Sequence, residues 1–252
     1  MTLTPSEGKR LIGKGVAALE PVKTALKEGT IVIATGTTNA YVCEEVLGKG
    51  IENKGFFTAG VITDKGCGLT VAEKRYKHHV VIKGKAMEMG LPDLVKVVAE
   101  MGPNDVFIKG ANAIDPYGSA AVMLGGGSGG TMGAVWGYVT ANGVKTIIPV
   151  GLEKLIPSSL NDVAQRTGNK KIDKSYGLAV GLIIITGEII TEIEAFNVLT
   201  GCQAIPMGAG GIDGGEGSRT FLLDGDEDGI KLAEDVLKNV RGEPPLKTAV
   251  AK

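Results

Sequence analysis

The chain has 252 residues, a formal net charge of -1, 43% hydrophobic and 22% charged residues, a size and balance that allow a substantial core. So small a net charge supplies no basic field for nucleic acid or an anionic membrane, and aromatics at 4% offer no base-stacking platform. Cys43, Cys67 and Cys202 stand far apart with no C-x-x-C pair, which argues against a disulfide framework, a zinc site or an iron–sulfur site, so no metal and no cofactor is expected.

Thr4-Pro5-Ser6-Glu7 starts a helix, with Thr4 as N-cap, Pro5 at the first helical position and Glu7 closing a capping box. Leu11, Ile12, Val16 and Leu19 follow at helical spacing until Pro21 interrupts, and a second stretch over 22–27 ends at Gly29. Residues 30–34, Thr-Ile-Val-Ile-Ala, form a β-branched run that predicts a buried strand. It leads through Thr35-Gly36-Thr37-Thr38-Asn39 into a helix carrying Tyr41, Val42, Val46 and Leu47. Strands are expected at 60–62 and 79–82, a helix at 91–101 with Pro92 at its start, and another strand at 105–108. That strand runs into Lys109-Gly110-Ala111-Asn112-Ala113-Ile114-Asp115-Pro116. Residues 120–124 lead into Gly125-Gly126-Gly127-Ser128-Gly129-Gly130, a helix over 131–141 and a strand over 145–150.

This alternation predicts an α/β fold: a doubly wound, mainly parallel sheet with helices on both faces, occupying residues 1–176. Residues 177–252 read as a smaller α+β portion packed on the same core. Within it, Ile193 and Ala195 alternate with Glu192 and Glu194 as in a half-exposed strand, a helix is expected over 229–240, and the chain from Pro244 onward reads as a frayed tail. The amino-terminal residues have no apolar signal core and no run is long enough to span a bilayer, so a cytoplasmic location is expected.

Glycine is the compositional outlier, with 39 residues, about 15% of the chain and about twice the usual share. Its clusters fall at the ends of predicted strands, where a backbone turns sharply or approaches a ligand. Gly36, Thr37, Thr38 and Asn39 form the first candidate site, because a strand–turn–helix junction aims free amides and the positive end of the helix dipole at one point. Simple helix capping is the alternative. Lys109, Gly110 and Asn112 are the second, with Lys109 holding an anion, Asn112 orienting an oxygen and Asp115 available as a base. Asn112 and Asp115 are equally suited to a turn ahead of Pro116. Gly126 and Gly127, within the 125–130 run, are a third anion nest that fits neither the Walker nor the Rossmann pattern. The fourth is the loop 208–219, where Glu216 offers a nucleophile or acid and Arg219 an anion clamp, against the alternative of a mobile, solvated surface loop.

Two further signals are set aside. Residues 224–229 imitate the start of a calcium loop but read better as an acidic helix start. The basic run from Lys74 to Lys85 reads as a solvated edge strand, and adjacent His78 and His79 point to opposite strand faces, a poor metal pair.

Residues 105–157 resemble the lactate-utilisation (LUD) domain of the ribose-5-phosphate isomerase, glucosamine-6-phosphate deaminase and CoA-transferase superfamily. The likeness rests on a strand ending in Gly110-Ala111-Asn112, a later Gly-bearing loop, and Gly151-Leu152-Glu153-Lys154-Leu155-Ile156-Pro157 after a strand. The Gly36-Thr37-Thr38 turn is similar to the phosphate-binding turn of the sugar-phosphate isomerases. Lys109 and Asn112 stand where the isomerase pattern carries acidic residues, so isomerisation by a carboxylate base is not implied. The resemblance implies a protein that binds a small phosphorylated or carboxylated metabolite, with Asp115, Glu153 and Glu216 as candidate carboxylates. The alternatives are a CoA-transferase-like acyl-transfer enzyme using Glu216, and a non-catalytic ligand sensor or assembly subunit. The expected partners are a small anionic metabolite and further copies of the chain in a homo-oligomer, with no nucleic acid and no membrane.

Overall fold

Thr4 caps the first helix as its spacing predicts: its hydroxyl accepts from Glu7 N at 3.3 Å, while Glu7 Oε2 accepts from Thr4 N at 2.9 Å. The computed structural model describes residues 1–251. Strand β1 (Thr2–Leu3) precedes this helix, α1 (Pro5–Ala18), and Leu19 adopts an extended conformation before α2 (Glu20–Glu28). Then come β2 (Thr30–Ile33), α3 (Thr37–Leu47), β3 (Gly60–Thr63), β4 (Gly66–Leu69), β5 (His78–Ile82), β6 (Lys85–Met89) and α4 (Leu91–Glu100). The middle of the chain supplies β7 (Val106–Ile108), β8 (Ala113–Ile114), β9 (Ala120–Leu124), α5 (Gly130–Ala141), β10 (Lys145–Pro149) and α6 (Leu160–Arg166). The last third contains β11 (Gly181–Ile185), β12 (Glu188–Ile190), α7 (Glu192–Thr200), β13 (Gln203–Gly210), β14 (Ser218–Asp224) and α8 (Glu227–Val240).

A six-stranded sheet runs in the order β12-β10-β7-β2-β5-β6. The four strands from β12 to β2 are parallel, while β5 and β6 extend the sheet as an antiparallel pair. The fold is therefore α/β with a mixed, mostly parallel sheet. Its central strands read Ile31-Val32-Ile33, Val106-Phe107-Ile108 and Ile147-Ile148, all almost wholly buried. Unbroken apolar runs of this kind belong to parallel strands covered on both sides. Smaller sheets join β11, β9 and β8, the hairpin β3-β4, and β1, β14 and β13.

One consequence of parallel pairing fixes the location of the site. Ile33 and Ile147 both pair with Ile108, so β2, β7 and β10 deliver the turns that follow them to a single edge of the sheet.

Residues on both sides of position 176 contribute to one core. β12 is an edge strand of the main sheet, β14 pairs with β1, and Phe196, Phe221 and Val240 belong to the same apolar cluster as Leu11 and Ile31. Three sequence expectations are corrected. Residues 192–196 are helical, not a half-exposed strand. Thr191 and Glu194 form a capping box in which Glu194 Oε2 accepts from Thr191 N at 2.7 Å, and that local device overrides the accidental two-residue alternation. The segment 208–219 is a loop only over 211–217, which is mostly exposed; its ends belong to β13 and β14, paired from Gly210↔Ser218 to Gln203↔Asp224 with a register shift between Pro206 and Gly208. The tail is not frayed, since Val71 N donates to Ala249 O at 3.1 Å and Ala251 N donates to Leu69 O at 2.8 Å. The acidic segment, by contrast, does open α8, with Asp226 accepting from Gly229 N at 2.8 Å. Among the described residues no helix is long and apolar enough to cross a membrane.

Candidate functional site

The edge where β2, β7 and β10 end opens into a cleft of about 220 Å³. Gly36, Thr37 and Thr38 line it from the start of α3, Lys109, Gly110 and Asn112 from the loop after β7, and Gly126, Gly129, Gly130 and Thr131 from the glycine run and the start of α5. The Gly36 and Lys109 turns face one space because parallel strands finish side by side, and β9 of the smaller antiparallel sheet brings the glycine run to the same space. Neither α3 nor α5 has a side-chain cap at its N-terminus. Their first-turn amides and dipoles are left available to a bound anion.

Two lysines give the cleft its charge. Lys109 donates from Nζ to Thr35 O at 3.0 Å, and Lys154, on the 3-10 turn Leu152–Lys154 after β10, donates from Nζ to Ala111 O at 2.8 Å. Each ammonium has three donors, and among the described residues neither lysine is in an ion pair. Burial pushes Lys109 down to about 8, with the charge of Lys154 adding to the effect. Burial likewise brings Lys154 down to about 8, against the opposing pull of Glu153 and Glu192.

His78 completes the floor from behind. Its Nδ1 accepts from Thr35 N at 3.0 Å and its Nε2 lies 3.4 Å from Thr131 Oγ1. Burial, then the charge of Lys109, push the imidazole down to about 4. It is neutral at pH 7, and acceptance at Nδ1 assigns its proton to Nε2. Thr38 is 1% exposed, and its Oγ1 has no hydrogen-bond partner. An unpaired buried hydroxyl costs stability unless something in the site pairs with it.

Of the remaining candidates, Asn39 and Gly127 lie outside the cleft lining, while Gly110 and Asn112 line it. Asn39 is buried beneath the turn, donating from Nδ2 to Ala34 O at 2.6 Å and Ile108 O at 3.2 Å, so it ties β2 to β7 rather than facing the cleft. Gly110 must stay small, since a Cβ there would lie 3.2 Å from Pro149 O and 3.4 Å from Asn39 Oδ1. Gly127 is exposed and outside the lining. Asn112 accepts from Met123 N at 2.9 Å through Oδ1, which holds β9 in place.

None of the three proposed carboxylates reaches the cleft, and in that respect the sequence expectation is corrected. Asp115 is buried in a turn where Oδ1 accepts from Tyr117 N at 3.0 Å and Ser119 N at 2.8 Å, and Oδ2 accepts from Leu160 N at 2.9 Å. Burial alone would raise its pKa, but these backbone amides hold it below the usual carboxylate range. Its oxygens are committed to the turn. Glu153 pairs with Lys9 at 2.5 Å behind the Lys154 turn. Burial pushes its carboxyl up, and the charges of Lys9 and Lys154 outweigh that and hold it down. Glu216 is exposed between β13 and β14. Arg219 donates to Leu152 O from Nε at 3.1 Å and Nη2 at 2.7 Å, bracing the turn that carries Lys154. Among the described residues no group of three or more metal-ligating side chains gathers.

Sequence reasoning missed Lys154, Thr131, His78 and the β3-β4 wall of the cleft. Lys154 had one local signal, a basic residue just past a buried strand of a parallel sheet, where ligands bind. The cleft has a polar floor with two cations, two uncapped helix starts and, among the described residues, no carboxylate in its lining, an arrangement suited to holding an anion. No family model, no curated protein and no solved structure matches the chain.

Proposed function

We propose that this cleft binds a small phosphorylated or carboxylated metabolite, in the manner of a LUD-like protein on a doubly wound scaffold. The observation that carries the reading is the pair Lys109 and Lys154 in the lining of a cleft that no carboxylate enters among the described residues, Glu153 and Glu192 pulling on Lys154 only from behind. A cation partly withdrawn from water is unfavourable, and an anion bound on the cleft side offsets that cost for both lysines. The amides at the starts of α3 and α5 add donors on either side of them.

The absence of Asp and Glu from the lining among the described residues favours a binding or sensing role over carboxylate-based acyl transfer. A CoA-transferase-like route through Glu216 needs that side chain at the reacting atom, and it is exposed on the β13-β14 turn.

The test is a thermal-shift screen against sulfate, inorganic phosphate, sugar phosphates, CoA thioesters and small 2-hydroxy acids. A ligand that binds the folded state alone adds about 2.7 kcal/mol of stability at a hundred times its dissociation constant. A shift that disappears in the double variant Lys109→Met, Lys154→Met supports the reading. No shift with any of these anions overturns it.

A further inference from the structure

The cleft has two chemically different sides, and burial orders them. Thr38, at the strand-end floor, is 1% exposed, while Ile62 on β3 is 61%, Leu69 at the end of β4 is 42% and Leu178 is 38% exposed. All four line the same space, joined on the apolar side by Leu124 and Val180. A single exposed apolar side chain is unremarkable. Here they come from four separate segments and converge on the mouth of a cleft whose floor is cationic.

The apolar wall is also built to stay in place. An isolated two-stranded hairpin such as β3-β4 is marginal in water. Two outside strands of chain hold this one: Cys67 bridges Gly177 with Leu178 N donating to Cys67 O at 2.9 Å, and Thr70 bridges Val250 in the carboxyl-terminal segment. The chain therefore uses residues from both 177–180 and 249–251 to position a greasy surface beside an anion site.

We infer that the ligand is amphipathic, a phosphate or carboxylate head on the Lys109–Lys154 floor with a short unbranched aliphatic chain against Ile62, Leu69 and Leu178. The inference rests on the anion-binding reading and narrows its substrate class. A polyol such as a sugar would set hydroxyls against side chains that cannot pair with them, and losing those water hydrogen bonds weakens binding. An alkyl chain gains from the same contact.

Titration calorimetry with inorganic, methyl, butyl and hexyl phosphate, and with ribose 5-phosphate, tests it. Each methylene that enters the wall tightens binding by about fourfold, the factor corresponding to about 0.8 kcal/mol per buried CH₂. Hexyl phosphate then binds more tightly than ribose 5-phosphate, and the ratio of hexyl to inorganic phosphate affinity falls by about threefold to tenfold in Ile62→Ser and in Leu178→Ser. If inorganic phosphate and ribose 5-phosphate bind but the alkyl series is flat, the amphipathic ligand is overturned and the anion site stands. If the alkyl gain persists undiminished in both serine variants, the chain lies elsewhere and the inference also falls. If neither these phosphates nor acetate, butyrate and hexanoate bind, both readings fall together.

Discussion

The Lys109 ammonium donates to the backbone carbonyl of Thr35 at 3.0 Å, joining the loop that leaves β7 to the turn that leaves β2. The bond uses one of three donors and leaves the charge beside the uncapped start of α3. Lys154 ends the 3-10 turn that follows β10 and is tied to Ala111 O at 2.8 Å. Both ammoniums are hydrogen-bonded only to neutral carbonyls, while the charges of Glu153 and Glu192 act on Lys154 from behind.

Lys109→Met and Lys154→Met each weaken inorganic phosphate binding by about tenfold to a hundredfold, the size of a charge-assisted hydrogen bond of about 1.5–3 kcal/mol. For Lys109, whose charge no carboxylate offsets, the substitution also holds or raises the melting point of the unliganded protein. Calorimetry and thermal melting together check this. A large loss of stability in both variants makes the lysines structural struts instead.

Affinity for sulfate, whose own charge is constant near neutrality, falls as pH rises through about 8, where Lys109 and Lys154 lose their protons. The bound anion raises both pKa values, so the fall is completed at higher pH than in the free protein. For stability the sign is opposite. Folded-state values below the unfolded 10.5 mean the unfolded chain binds more protons between about 8 and 10.5, so these two groups make the protein more stable as pH rises across that window. The sulfate titration repeated from pH 6 to 10 is flat in the double methionine variant; an equally steep profile there assigns the charge to other groups.

Glu192 lies behind the Lys154 turn, accepting from Leu152 N at 2.9 Å, and burial followed by the charge of Glu153 pushes it up to about 7. Its folded value exceeds the unfolded 4.5, so the native state binds more protons between about 4.5 and 7 and this group costs stability as pH rises through that range. Glu192→Gln keeps an acceptor for Leu152 and removes the charge. Urea unfolding at pH 5 and pH 8 shows the variant gaining on wild type at the higher pH. An equal difference at both pH values contradicts the assignment.

Gly15→Ala destabilises the protein by about 1–3 kcal/mol through overpacking, even though alanine is the better helix former by about 1 kcal/mol. A Cβ on Gly15 would lie 2.7 Å from Ala195 Cβ and 2.8 Å from Ala195 Cα, where α1 and α7 cross. The midpoint of urea denaturation reads the sign directly, and a rise contradicts so close a crossing.

Local chemistry made much of the fold legible. The capping box at Thr4 and Glu7, the break at Pro21, the β-branched run before Gly36 and the helix opened by Pro92 are each decided within a few residues by sterics and short hydrogen bonds. The same kind of reading failed at 192–196, where strand-like alternation and the Thr191–Glu194 cap compete within one short segment. It failed again at the tail, where Val250 bridges Thr70, a residue far away in the sequence.

The sequence by itself determined that turns at Gly36, Lys109 and Gly125 follow buried strands and suit an anion. Only the tertiary structure decided that these turns share one cleft, that Lys154 joins Lys109 there, and that Asp115, Glu153 and Glu216 do not. The reason is strand pairing, parallel among β2, β7 and β10 and antiparallel for β9, which carries the Gly125 turn, between β8 and β11. It sets residues some forty to seventy positions apart side by side, a relation carried by hydrogen bonds between strands that no local pattern encodes.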